Sequence, residues 1–115
     1  MSGPSKRTNR IAELIQSIIA DLLIKSVNDP RLKNISITHV KLPPDFSVAT
    51  IYFSTPDLSA ATIKDAETAF QKASGFFRVN LSKMTELRHT PKLIFRFDKT
   101  GAEAERISRL LDDCK

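Results

Sequence analysis

A chain of 115 residues, 41% hydrophobic and 27% charged, is long enough for one domain with a real core and too short for two. Its net charge of +5 points to a polyanionic partner, and its single cysteine, Cys114, excludes an intramolecular disulfide or a thiolate metal cluster within one chain. No apolar run reaches membrane-spanning length and the amino terminus lacks a signal-peptide core, so the expected setting is the reducing cytoplasm with no membrane partner.

Residues 1–9 hold Lys6 and Arg7 among small and polar residues, a composition that predicts a flexible basic arm ahead of one domain over 10–115. Thr8 or Asn9 then caps a helix on which Ile11, Leu14, Ile15, Ile18, Ile19, Leu22 and Leu23 recur at helical spacing. The helix is expected to stop near Val27, because Asn28 and Asp29 form turns and Pro30 biases Asp29 away from helical angles. From Ile35 towards Val40 the spacing becomes alternating, which predicts a strand. Pro43 and Pro44 lack amide donors and must connect that strand to the next, where Ala49, Ile51 and Phe53 alternate with Val48, Thr50, Tyr52 and Ser54. The two read as an antiparallel hairpin with one face on the core.

Thr55-Pro56-Asp57 closes the second strand, and Ser59 or Thr62 caps the helical stretch that follows. Ile63, Ala66, Phe70, Ala73, Phe77, Leu81 and Met84 keep one phase through it, but Ala73-Ser74-Gly75 lies in the middle. That triplet predicts a structural kink, two helical pieces joined where another backbone can come close. Leu93, Phe95 and Phe97 then mark a third strand, parallel to the second because a helical crossover separates them. Ala104, Ile107, Leu110, Leu111 and Cys114 suggest a last short helix. The sum is a two-layer α+β domain in the order helix, strand, strand, helix, kink, helix, strand, helix, with a three-stranded sheet covered on one face. Two strands flanking a helix pair with a close-approach site is the KH plan, although the GXXG loop with which KH domains clamp a nucleic-acid backbone is absent here.

Residues 72–99 carry seven basic residues against two acidic ones, a net charge of +5, equal to that of the whole chain. Arg78 and Arg88 are the foremost phosphate candidates, because an arginine fork matches phosphate oxygens. Lys72, Lys83, Lys92 and Arg96 could join them or merely solvate a face. Arg31 could touch a ligand or anchor a turn, and Lys6, Arg7 and Arg10 could attract RNA or only keep the arm soluble. Phe76 and Phe77 invite a base-stacking role, but the helical rhythm places Phe77 in the core. Tyr52 is a stacking candidate if the outer sheet face is open. No catalytic site and no metal or cofactor is expected: His39 and His89 are far apart, neither has metal-ligand spacing, and three glycines build no phosphate loop. Asp45 should shape the hairpin turn.

Several segments together, in order, resemble bacterial ribosome-binding factor A: the helix from Arg10, Asp29-Pro30-Arg31, Val40, Asp45-Phe46, Ala49 to Ser54, Ala73 to Arg78, Leu87-Arg88, and Pro91 to Phe95 with Asp98. The resemblance implies a type II KH-like fold with an interrupted helix in place of GXXG. It also implies binding to 16S rRNA on free small (30S) ribosomal subunits and a part in their late maturation. A monomer without cofactor or small-molecule substrate is expected. The competing expectations are an RNA-binding module not tied to the ribosome and an adaptor that offers its basic face to an acidic protein.

Overall fold

Ile15, Ile18, Ile19 and Leu22 recur at three- and four-residue steps, which lays them along one side of α1 (Lys6–Lys25), and all four are buried. The computed structural model, which describes residues 6–99, begins this helix at Lys6 rather than after the expected cap. Thr8 is a buried member of its first turn, and the Arg7 guanidinium lies 5.3 Å from the centroid of Phe46. A cation over an aromatic face gives that turn something to pack on. Lys6 to Asn9, expected in the arm, are part of this helix, and residues 1–5 lie outside the described part. Leu14, at the edge of the apolar stripe, is 41% exposed rather than core.

Asp29 caps a single 3-10 turn at Pro30–Leu32, and the chain enters β1 (Ser36–Lys41) through Asn34, whose φ of 65° is left-handed. β1 pairs antiparallel with β2 (Val48–Ser54), and β2 pairs parallel with β3 (Lys92–Phe97), giving the order β1-β2-β3. Both orientations are those expected from the connections. The connection from β1 to β2 turns at Phe46, with φ of 57°, while Asp45 Oδ1 accepts hydrogen bonds from the Ser47 amide and hydroxyl at 3.1 and 2.8 Å. Asp45 thus shapes the turn as its position predicts.

One irregularity was not expected. Between Ile37 and His39 the register slips by one residue, so that Ile37 still meets Phe53 while Val40 meets Ile51. The bulge turns both of these β1 side chains to the core although they stand an odd number of residues apart. Gln16 of α1 donates from Nε2 to the carbonyls of Ile37 and Thr38, at 3.3 and 3.2 Å, which satisfies acceptors on this edge strand.

Ser59 caps α2 (Ala60–Met84), accepting from the Thr62 amide at 3.2 Å. α2 is one helix of 25 residues that runs through Ala73-Ser74-Gly75, where two helical pieces were expected. Ser74 bonds back to the Gln71 carbonyl at 2.9 Å, and a Cβ added at Gly75 would meet nothing within 4 Å, so no other part of the described chain approaches closely there. The physical reason is a balance of magnitudes. One glycine costs a helix about 1 kcal/mol, whereas each of Phe70, Phe77 and Leu81, fully buried on a stripe that spans the glycine, contributes about 1.5–3 kcal/mol. Unbroken phase wins.

α1 and α2 cover the sheet face that presents Ala49, Ile51 and Phe53, all completely buried. Phe95 and Phe97 are only partly buried but pack on this core. The expected last helix, from Ala104, lies outside the described residues.

Gly75→Ala should accordingly stabilise the protein by about 0.5–1 kcal/mol, because the added methyl group meets open space and the unfolded chain loses freedom. Urea denaturation measures this. A loss of stability would show that Gly75 serves a constraint other than helix propensity.

Candidate nucleic-acid interface

At 100° per residue, a helix whose positions 70, 77 and 81 face the core turns positions 72, 76, 79 and 83 outward as a second stripe. On α2 these are Lys72, Phe76, Val79 and Lys83, all exposed. Beyond the helix, Thr85 closes its last turn by donating to the Leu81 carbonyl at 2.8 Å, and the chain returns to β3 through Arg88, His89, Thr90 and the buried Pro91. Arg78 holds that return: its Nη2 donates to the Thr90 carbonyl at 3.3 Å. The result is a groove lined by Gly75, Arg78, Val79, Ser82, Lys83, Arg88, His89 and Thr90.

Arg78, Lys83 and Arg88 therefore share one groove, and Lys72 extends the basic surface along α2. Among the described residues, none of the four is ion-paired. Arg78 spends one donor on Thr90 and keeps the rest of its fork for an anion. Groups left with unneutralised charge at a surface have the electrostatics that phosphate binding requires.

The remaining candidates lie elsewhere. Lys92 and Arg96 alternate with buried Leu93 and with Phe95, so they stand on the outer face of the sheet, opposite the helices. Arg96 pairs in register with Tyr52, whose ring stacks on His39 at 4.3 Å between centroids and 15° between planes. Tyr52 already has an aromatic partner, and His39 Nδ1 lies 3.7 Å from Asp98 Oδ2. Arg10 is exposed on α1. No group of three or more histidine, cysteine, aspartate or glutamate side chains suited to a metal occurs among the described residues.

Arg31 is bonded into the turn. Its Nε and Nη2 donate to the two oxygens of Asp29 at 3.1 and 2.8 Å, and its amide donates to Asp29 Oδ1 at 2.9 Å. These bonds from the Arg31 side chain and amide hold the Asp29 carboxyl below its ordinary value, and the charge of Lys72 adds to the effect.

Phe76 is what the sequence left undecided. It is 41% exposed, while its neighbour Phe77 is fully buried, and the two rings meet edge to face at 5.7 Å.

The family described as ribosome-binding factor A matches residues 7–111. The chain belongs to the ribosome-binding factor A family. Relatives of that name from Coxiella burnetii (strain RSA 493 / Nine Mile phase I) and Vesicomyosocius okutanii subsp. Calyptogena okutanii (strain HA) are 40% and 42% identical, over 94% and 93% of this chain and 89% and 91% of their own. The solution NMR structure of a Thermotoga maritima protein superposes with a TM-score of 0.73 at 26% identity, covering 87% of this chain and 94% of the other. Ribosome-binding factor A from Thermus thermophilus, fitted as a homology model into the cryo-EM map of its complex with the 30S subunit, shares the fold, with a TM-score of 0.64 at 20% identity over 79% of this chain and 94% of that one. The two-layer α+β fold is thus the fold of this family.

Because the Asp29 carboxyl is depressed in the folded state, its ionised form stabilises the fold, and that contribution is complete above the unfolded carboxylate value and lost as pH falls through the lower folded one. Asp29→Asn should therefore be less stable than the parent at neutral pH, and the difference should shrink as pH falls below the ordinary carboxylate range. Thermal melts at a series of pH values read this. A difference that stays constant to the lowest pH would mean that the ionised bond to Arg31 contributes nothing.

Proposed function

We propose that the protein binds free 30S subunits through 16S rRNA and assists late maturation of the small subunit, including processing of that RNA. The contact face is the groove of Arg78, Lys83 and Arg88 together with Lys72. The observation that carries this reading is the convergence on α2 and its return loop of basic side chains that have no ion-pair partner among the described residues. Family membership supports it, and the Thermus relative occurs in a complex with the 30S subunit. The protein acts as a monomer in the cytoplasm, by positioning on RNA and without catalysis. Phosphate contacts orient it but read no bases, so recognition of the site comes from the shape of the rRNA surface. The outer sheet face, where Arg96 stands beside Tyr52, and Arg10 on α1 are secondary.

Four phosphate contacts give a slope of log affinity against log salt of about −3 to −4. Arg78→Ala and Arg88→Ala should each flatten the slope by about one, with an unchanged fold, whereas Lys92→Ala and Arg96→Ala should leave it near the parent value. Filter binding to 30S subunits between low and physiological salt measures it. If the sheet-face variants flatten the slope and the groove variants do not, the interface lies on the opposite side of the molecule. If the protein binds an acidic polypeptide but no RNA, the adaptor reading replaces this one.

A further inference from the structure

Phe76 poses a problem that phosphate binding does not solve. A phenylalanine 41% exposed beside Val79, 53% exposed, is apolar surface on a helix whose opposite face already fills the core. Isolated exposed apolar residues are ordinary. These two, however, are flanked on the same stripe by Lys72 one turn before and Lys83 one turn after, at positions 72, 76, 79 and 83. Phe76 also forms one wall of a shallow, mainly apolar cleft, with Ala73 beside it and Val27, Asn28 and Pro30 opposite. The cleft has a ring on one side and a rigid proline turn on the other. That turn is fixed by Asp29, whose charge is taken up by Arg31. Asp29 itself lines the cleft with its carboxylate paired to Arg31, and Lys72 and Lys83 stand on the exposed stripe of α2 that carries Phe76 and Val79.

An aromatic face on a stripe between two cations, beside an open and mainly apolar cleft, fits a base joined to its phosphates. We propose that Phe76 is a stacking site for an unpaired RNA base, with Lys72 and Lys83 on the flanking phosphates. The inference rests on the proposed RNA-binding function and adds to it the class of RNA taken: an unstacked strand rather than a continuous duplex. A duplex keeps its bases paired and can meet the lysines but not the ring. A single strand exposes one π-face for each base, and stacking tolerates any sequence, so this site supplies affinity without base-specific reading. Charge selects the occupant: an apolar helix from a partner protein would cover Phe76 and Val79 but leave both lysines to be desolvated without a counter-charge.

The test uses the full chain with two RNA probes, an unstructured oligonucleotide carrying 2-aminopurine and a blunt duplex of the same length. The parent should quench the fluorescent base on binding the single strand. Phe76→Leu, which keeps apolar volume and removes the π-face, should weaken single-strand binding roughly ten-fold and abolish the quench, with duplex binding and salt slope unchanged. Phe76→Trp should restore both. Because Phe76 is partly exposed, the leucine variant should melt within a few degrees of the parent, and the tryptophan variant supplies a readout that a merely structural role would not produce. If Phe76→Leu binds and quenches like the parent, the stacking site is refuted while the groove reading survives. If the parent binds neither probe but retains Arg78-dependent binding to 30S subunits, the site takes a folded surface and stacking is again refuted. If the parent binds no RNA of any kind, the proposed function fails and this inference with it. Binding of an apolar, acidic peptide that depends on Phe76, without RNA binding, would assign the cleft to a protein instead.

Discussion

Stacking of Phe70 on Phe95, with centroids 4.5 Å apart and planes at 5°, fixes how α2 is rotated on the sheet. Phe53 meets Phe70 at 4.9 Å, and Phe77 meets Phe95 at 5.5 Å, so α2 is gripped at two positions about two turns apart by rings from β2 and β3. Aromatic pairs contribute about 0.5–1.5 kcal/mol beyond burial of their area, and several together leave one rotation well below its neighbours in energy. Turning α2 by one residue, about 100°, would withdraw Phe70 from Phe95 and bring polar positions onto the sheet. The exposed stripe of Lys72, Phe76, Val79 and Lys83 follows from that fit. What the helix offers to a partner is set by what its other side buries.

The same packing explains why α2 stays whole. In sequence, Ser74-Gly75 signals a break, and local propensity favours one. The core decides otherwise because Phe70 lies before the glycine and Phe77 and Leu81 after it, in one phase, and an interruption would have to realign one group or the other. Phase was visible in the sequence, but the energy that enforces it lies in the rings of β2 and β3, which a local reading does not weigh.

Most of the architecture was legible: strand alternation, proline positions and the apolar stripe of α1 gave the elements and their pairing, since each is a local pattern with a fixed period. The bulge at Thr38 was not, because it depends on how Ile37 and Val40 register against Phe53 and Ile51, and on Gln16 reaching across from α1. The site was legible in part. Counting charge from 72 to 99 joined residues that the sheet separates, although the alternation of Lys92 and Arg96 with Leu93 and Phe95 already placed those two on the far face. At Arg31 the Asp-Pro-Arg spacing lets the carboxylate cap Pro30–Leu32 and take the guanidinium at once. Phe76 and Phe77 are adjacent and chemically identical, so only the rotation of α2 tells which of them reaches solvent.

The central claim is that the aromatic core turns one particular face of α2 towards RNA. Amide and methyl NMR shifts, followed while a fragment of 16S rRNA is added, test it most directly. The account predicts that perturbations concentrate on Lys72, Phe76, Val79, Lys83 and the Arg88–Thr90 loop, with Phe70 and Phe77 unmoved and little change at Lys41, Tyr52 and Arg96. Perturbations centred on Tyr52 and Arg96, with a silent α2, would contradict it.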